Sequence, residues 1–217
     1  MNKKTTDLHK IQELIKSGSR ENIDLAFLFA KSEGIAQEDI MIYWKELISF
    51  ARAEKDSPQN TLFHLLNLTE LDLGNCGISS VPEQISLLIN LVDLNLESNS
   101  ITRLPENISL LPNVESLNLQ DNPLSCLPQN INSLSKLNDL YLQDTLIESL
   151  PENFVHLSNL REVYLYNSPI CENDMELIKQ NLPLCEFFIV EDDFGDDEED
   201  GYWYKDDYDY GDGFFQG

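Results

Sequence analysis

Apolar residues fall in one phrase repeated five times over residues 68–190, starting at Leu68, Leu91, Val114, Leu137 and Leu160, each 23 residues after the last. Apolar side chains at repeat positions 1, 4 and 6 alternate with polar ones, which predicts a short strand buried on one side. Positions 11, 14 and 18, for example Ile101, Leu104 and Ile108, turn the chain back into a flat coil that cannot bury its own faces. Stacking the coils does bury them, giving a solenoid with a parallel sheet along one side. Residues 5–55 carry a helical period instead. Leu8, Ile11, Leu14 and Ile15 form one stripe, with Thr6 or Asp7 as its cap and Gly18 as its stop. A second helix is predicted over 21–33, ended by Gly34, and a third from Glu38 to Lys55 with Ile40, Tyr43, Trp44, Leu47, Ile48 and Ala51 on its apolar face. Asp56, Ser57 and Pro58 end it, and Leu62, Leu65 and Asn67 match the tail of a partial repeat.

The phrase, LxxLxLxxNxIxxLPxxIxxLxN, resembles the leucine-rich repeat family in its 23-residue form, and the resemblance covers residues 68–190. Five copies in register make it specific. It implies an α/β fold: a curved leucine-rich-repeat solenoid with a parallel sheet on its concave face, preceded by a helical cap. The expectation is a small, intracellular, bacterial-type member of that class. At position 9 it places an inward Asn that satisfies turn backbone, which Asn99 and Asn122 match. Cys76 is an accepted small substitute, whereas Thr145 and Ser168 depart from the pattern and keep a hydroxyl for the same backbone groups. Pro82, Pro105, Pro128 and Pro151 set an extended turn on the outer side. The fifth repeat lacks that proline and reads as a capping unit.

Three segments follow: a helical cap over 1–60, which covers the open end of the solenoid, repeats over 61–190 with a last strand at 184–190, and a tail over 191–217. In that strand Leu184, Phe187 and Ile189 occupy positions 1, 4 and 6. The tail combines 12 acidic residues with Phe194, Tyr202, Trp203, Tyr204, Tyr208, Tyr210, Phe214 and Phe215. Its bias predicts a mobile segment, and its aromatics an acidic-aromatic strip able to dock on the repeats or a partner.

Charge narrows the function. The chain carries 39 acidic against 14 basic residues, net −25, which argues against nucleic acid and anionic membrane as partners. The first 67 residues are close to neutral, so nearly all the excess lies on the repeats and tail. No apolar run approaches a membrane span and the N-terminal residues lack a secretory apolar stretch, so the expectation is a cytoplasmic, monomeric protein. Cys76, Cys126, Cys171 and Cys185 lack metal or disulfide spacing and read as free thiols, with Cys171 and Cys185 as buried or half-buried packing residues. His9, His64 and His156 share no metal spacing, no phosphate loop or nucleophile elbow is present, and Asp207 to Gly213 only faintly resembles a calcium loop, lacking its closing Glu and flanking helices. Neither enzyme nor cofactor is expected.

The strand side left facing solvent carries the candidate site. Positions 2, 3, 5, 7 and 8 of the five repeats hold nine acids (Glu70, Asp72, Asp93, Glu97, Glu115, Asp121, Asp139, Asp144 and Glu162) and one base, Arg161. Position 5 runs Asp72, Asn95, Asn118, Tyr141, Tyr164, and Phe188 continues it beside Tyr166 and Val190 at position 7. Strands about 4.8 Å apart bring Tyr141, Tyr164 and Phe188 into one patch. Acids alone keep a sheet soluble. Clustered outward aromatics invite aggregation unless something covers them, so the expected function is non-enzymatic protein binding on the concave face, to a partner with a basic patch. The alternative is an inhibitor of the immunity type, or a chaperone similar to the leucine-rich acidic nuclear proteins, that masks a basic protein by charge mimicry.

Overall fold

The computed structural model describes residues 3–53, 55 and 57–189. Five helices come first: α1 (Lys3–Lys16), α2 (Arg20–Ser32), α3 (Gln37–Met41), α4 (Lys45–Phe50) and α5 (Pro58–Leu66). They lead into β1 (Glu70–Asp72), β2 (Asp93–Asn95), β3 (Ser116–Asn118), β4 (Asp139–Tyr141) and β5 (Glu162–Tyr164), then α6 (Glu172–Asn181) and β6 (Glu186–Phe188). The strands form one six-stranded parallel sheet in chain order. Each residue pairs with its equivalent in the next repeat: Glu70 with Asp93, Asp93 with Ser116, Ser116 with Asp139, Asp139 with Glu162, and Glu162 with Glu186. The architecture is an α/β solenoid.

The repeat positions explain it residue by residue. Leu71, Leu94, Leu117, Leu140 and Val163 at position 4, and Leu73, Leu96, Leu119, Leu142 and Leu165 at position 6, are all buried. Opposite the sheet, short 3₁₀ turns at Glu83–Leu87, Glu106–Leu110, Ile131–Ser133 and Glu152–His156 return the chain. The proline of each unit sets that turn, because its extended φ and ψ leave its carbonyl free to accept the N–H three residues on. Ile85 donates to Pro82 at 3.0 Å, Ile108 to Pro105 at 3.1 Å, Ile131 to Pro128 at 3.1 Å and Phe154 to Pro151 at 2.8 Å. One continuous core runs from Ile11 in α1 to Leu182 after α6, with α4 in contact with the first 3₁₀ turn.

The helices depart from the sequence reading at several points. The first begins at Lys3, so Thr6 and Asp7 lie inside it rather than capping it; Asp7 is buried, 3.9 Å from Lys10 Nζ. The third helix is two short ones. Gln12 Nε2 donates to the Ile40 carbonyl at 3.2 Å, taking the acceptor that a continuous helix would give to the Trp44 N–H. That N–H turns to Met41 instead, at 3.0 Å, and Trp44 Nε1 donates back to Gln12 Oε1 at 2.6 Å. Tyr43, predicted on the apolar face, is consequently exposed. Residues 58–66 are a full α-helix, not a repeat tail: Ser57 Oγ caps the Asn60 N–H at 3.2 Å and Pro58 opens the first turn. Gly18 and Gly34 do end their helices, at φ +70° and +68°.

At the other end α6 takes the place of the fifth 3₁₀ turn. That unit is one residue longer, since Glu162 pairs with Glu186, and it buries Ile178 and Leu182. The last strand spans three residues rather than 184–190, and Leu184 is 91% exposed. In earlier repeats the position-1 side chain is covered by the next coil, and no coil follows β6 among the described residues. Val190 and the tail over 191–217, with its acidic-aromatic strip and its calcium-like loop, lie outside the described residues. Cys171 is exposed rather than packed, its carbonyl opening α6 by accepting the Asp174 N–H at 3.1 Å, while Cys185 is half-buried.

Candidate functional site: the outward face of the sheet

Two internal ladders hold this face in place. Asn99 Oδ1 accepts the N–H groups of Cys76 at 3.1 Å and Ile78 at 2.9 Å, while its Nδ2 donates to the carbonyls of Leu73, Leu96 and Glu97 at 2.8–2.9 Å. Asn122 repeats the arrangement with Ile101, Leu96, Leu119 and Gln120. Thr145 and Ser168 reach only the Leu142 carbonyl, at 2.8 and 2.5 Å, and each other at 3.1 Å; Cys76 Sγ meets the Gly74 carbonyl at 3.2 Å. The second ladder is at repeat position 23. Asn67 donates to Gly18, Asn90 to Leu66, Asn113 to Ile89 and Asn159 to Ser135, all at 2.6–3.0 Å, and Asn67 and Asn90 thereby tie the helices to the repeats. Its signal, an Asn closing most repeats, stood in the sequence without a role attached.

On the solvent side, alternation holds over positions 3 to 6. At position 8 the backbone turns left-handed, with φ of 51° to 54° at Asn75, Ser98, Asp121, Asp144 and Asn167, so Asp121 and Asp144 sit on the turns beyond the strands. The face itself divides in two along position 5. Over β1 to β3 the row is a polar lattice: Asn95 Nδ2 donates to Asp72 Oδ1 at 2.9 Å and Asn118 Nδ2 to Glu97 Oε2 at 3.0 Å. Asp72, Asn95 and Asn118 also accept the backbone N–H two residues on, each at 3.0 Å. Over β4 to β6 the row is aromatic. Tyr141 and Tyr164 stack at 4.6 Å between centroids and 7° between planes, Tyr164 and Phe188 at 4.4 Å and 9°, and Tyr166 meets Tyr164 edge-on at 6.3 Å. All four rings are half-buried.

Beside this row the position-3 acids crowd one another. Burial and the charges of Glu70 and Glu115 push the Asp93 carboxyl up; burial and Glu162 push Asp139 up, partly opposed by Arg161. The Tyr164 hydroxyl donates to Glu162 Oε2 at 2.8 Å, and burial with that bond holds the phenol well above its usual range. Gln143, at position 7 beside Tyr166, is 9% exposed and its Oε1 has no hydrogen-bond partner. The face therefore offers ring edges and carboxylates, a set suited to a cationic or donor-rich surface. Burial pushes the Cys185 thiol up to about 12. Among the described residues no group of three or more His, Cys, Asp or Glu is placed to hold a metal, and no helix is long and apolar enough to cross a membrane.

A stability prediction follows from the crowding. The native state holds the Asp139 proton more tightly than the unfolded chain, so its ionisation subtracts stability as pH rises through the native value. Asp139→Asn is expected to raise stability at pH 7 by about 0.5 kcal/mol, the scale of a screened surface charge. The gain should shrink as pH falls toward the usual carboxylate value of 3.8. Urea midpoints across that range check it, and a gain that grows on acidification contradicts it.

No curated protein matches the sequence. One matching solved structure is a leucine-rich-repeat protein of Leptospira interrogans, 29% identical with a TM-score of 0.46 over 58% of this chain and 38% of that one. The chain thus spans well under half the length of that protein. The sequence profile of the leucine rich repeat family matches residues 66–124, which hold β1 to β3, and the same 23-residue register continues unbroken to Leu160. Over residues 66–124 the chain is thus similar to the leucine-rich repeat family, whose members serve in general as protein-interaction modules.

Proposed function

We propose that this protein is a non-enzymatic binding module whose sheet face holds a partner protein through a basic patch. The Tyr141–Tyr164–Phe188 stack carries the reading. Three parallel rings with Tyr166 at their edge form an amphipathic anchor of the kind that dominates interface energetics, and they lie beside Asp139 and Glu162. The acids at Glu70, Asp72, Asp93 and Glu97, with Asn95 and Asn118 between them, extend the field over β1 to β3 and steer a cationic partner toward the anchor. A net charge of −25 opposes self-association, so the module acts as a monomer. Exposed thiols at Cys126 and Cys171 fit a reducing cytoplasm.

The test compares proteins captured from the source lysate by three forms of the full chain: unchanged, Asp93→Lys with Asp139→Lys and Glu162→Lys, and Tyr141→Ala with Tyr164→Ala. A basic protein held by the first and reduced more than tenfold on both variants is expected. A set retained equally by all three sinks the reading. Charge mimicry, the second reading, is favoured by the acids of the face and the 12 in the tail. It predicts loss of the partner on deleting 191–217 and survival of the tyrosine changes.

A further inference from the structure

The sheet ends at β6 with an edge that no described residue covers. The Glu186 N–H donates to the Arg161 carbonyl at 2.6 Å, and the Phe188 carbonyl accepts from Leu165 at 2.9 Å. In a parallel ladder alternate residues serve opposite neighbours, so the N–H and C=O of Phe187 point away from β5. On that same side Leu184 is 91% and Ile189 37% exposed, and Phe187 is half-buried. Phe188 stacks on Tyr164 through one ring face, leaving its other face at the end of the row, and Glu186 stands exposed two residues earlier. Exposed strand edges are templates for further pairing.

We propose that β6 accepts a seventh strand from a basic partner, and that this strand alternates inward apolar residues with outward cations. In register, the residue beside Phe188 is Arg, whose flat guanidinium extends the ring stack, and the residue beside Glu186 is Lys or Arg, paired to its carboxylate. The intervening residue is apolar and packs on Phe187. Backbone bonds supply affinity and the alternating side chains supply specificity. Charge selects this occupant over two others. A second copy would bring −25 against −25 and set Glu186 near its own counterpart, and residues 191–217 would bring 12 acids with one base to the same carboxylate. The inference shares with the proposed function the sign of the partner's charge and the Phe188 ring.

The experiment titrates a fluorescein-labelled peptide, Val-Thr-Lys-Val-Arg-Val, into the full chain and follows anisotropy. Saturable binding is expected, weakened more than tenfold by N-methylation of the Arg backbone nitrogen, which removes the ladder donor to the Phe187 carbonyl, and more than tenfold by Phe188→Ala. Glu186→Lys should weaken it comparably. Equal binding of the N-methylated or a scrambled peptide reduces the interaction to bulk charge and overturns the proposal. So does the absence of uptake, whether sedimentation then shows a dimer or a monomer whose edge is already filled. Peptide failure alongside tyrosine-dependent capture overturns this inference alone. Peptide uptake with no tyrosine-dependent partner overturns the face reading alone.

Discussion

Asn99→Ala is expected to lower the unfolding free energy by about 4 kcal/mol, at the upper end of single substitutions. One side chain serves five backbone groups from two adjacent coils: two N–H groups and three carbonyls. Each buried group left without a partner costs about 1–3 kcal/mol. Water entering the vacated space recovers part of the sum, because the site lies where the coils turn. Asn95, on the face, bonds one carboxylate and one N–H beside solvent, so Asn95→Ala should cost less than about 1 kcal/mol. Urea unfolding of both variants at one pH and ionic strength decides the matter. Equal losses would mean that the internal ladder contributes no more than a surface contact.

Trp44→Ala should cost a similar amount, about 4–5 kcal/mol, from the other end of the molecule. The indole is fully buried and its Nε1 donates to Gln12 Oε1 at 2.6 Å, while Gln12 Nε2 holds the Ile40 carbonyl at 3.2 Å. Removing the ring empties a cavity and orphans the Gln12 acceptor together. Trp44→Phe keeps most of the apolar volume and loses only the donor, so a smaller cost of about 1–3 kcal/mol is expected. Since one core joins the helices to the repeats, far-ultraviolet dichroism during urea unfolding should show a single transition shifted as a whole. A separate early transition of about the helical amplitude would show instead that residues 3–66 fold on their own.

The repeats were legible because each coil satisfies itself and its immediate neighbours. A period of 23 residues, apolar positions 1, 4 and 6, and an Asn at 9 are local statements, and the register of Glu70 with Asp93 and of Tyr141 with Tyr164 follows from them. The aromatic row was readable for the same reason: equivalent positions become neighbours. The misreadings lie where a distant group intervenes or a neighbour is missing. The break between α3 and α4 depends on Gln12, 28 residues before the carbonyl it takes. The helix over 58–66 shares with a repeat tail the spacing of Leu62 and Leu65, and only Ser57 and Pro58, ahead of it, decide between them. Leu184 has the inward position of a strand, with no following coil among the described residues to make it inward. The Asn ladder at position 23 was written in the sequence as plainly as that at position 9, and needed the coils in space to show what it bonds.

The change at Asn118 to Tyr141, where the outward row passes from amides to rings, makes the sheet a graduated ruler. Six strands leave five gaps of about 4.8 Å, a scale about 24 Å long. That length equals about 16 residues of helix or about seven of extended chain. A ligand lying across the strands finds amide marks along one half and aromatic marks along the other, and so has a defined heading as well as a defined place. Adding or removing a whole 23-residue unit would lengthen or shorten the scale by one graduation without disturbing the rest. The spacing between steering charge and anchoring ring is thus a property that selection can adjust in steps of a single strand, leaving the chemistry at either end intact.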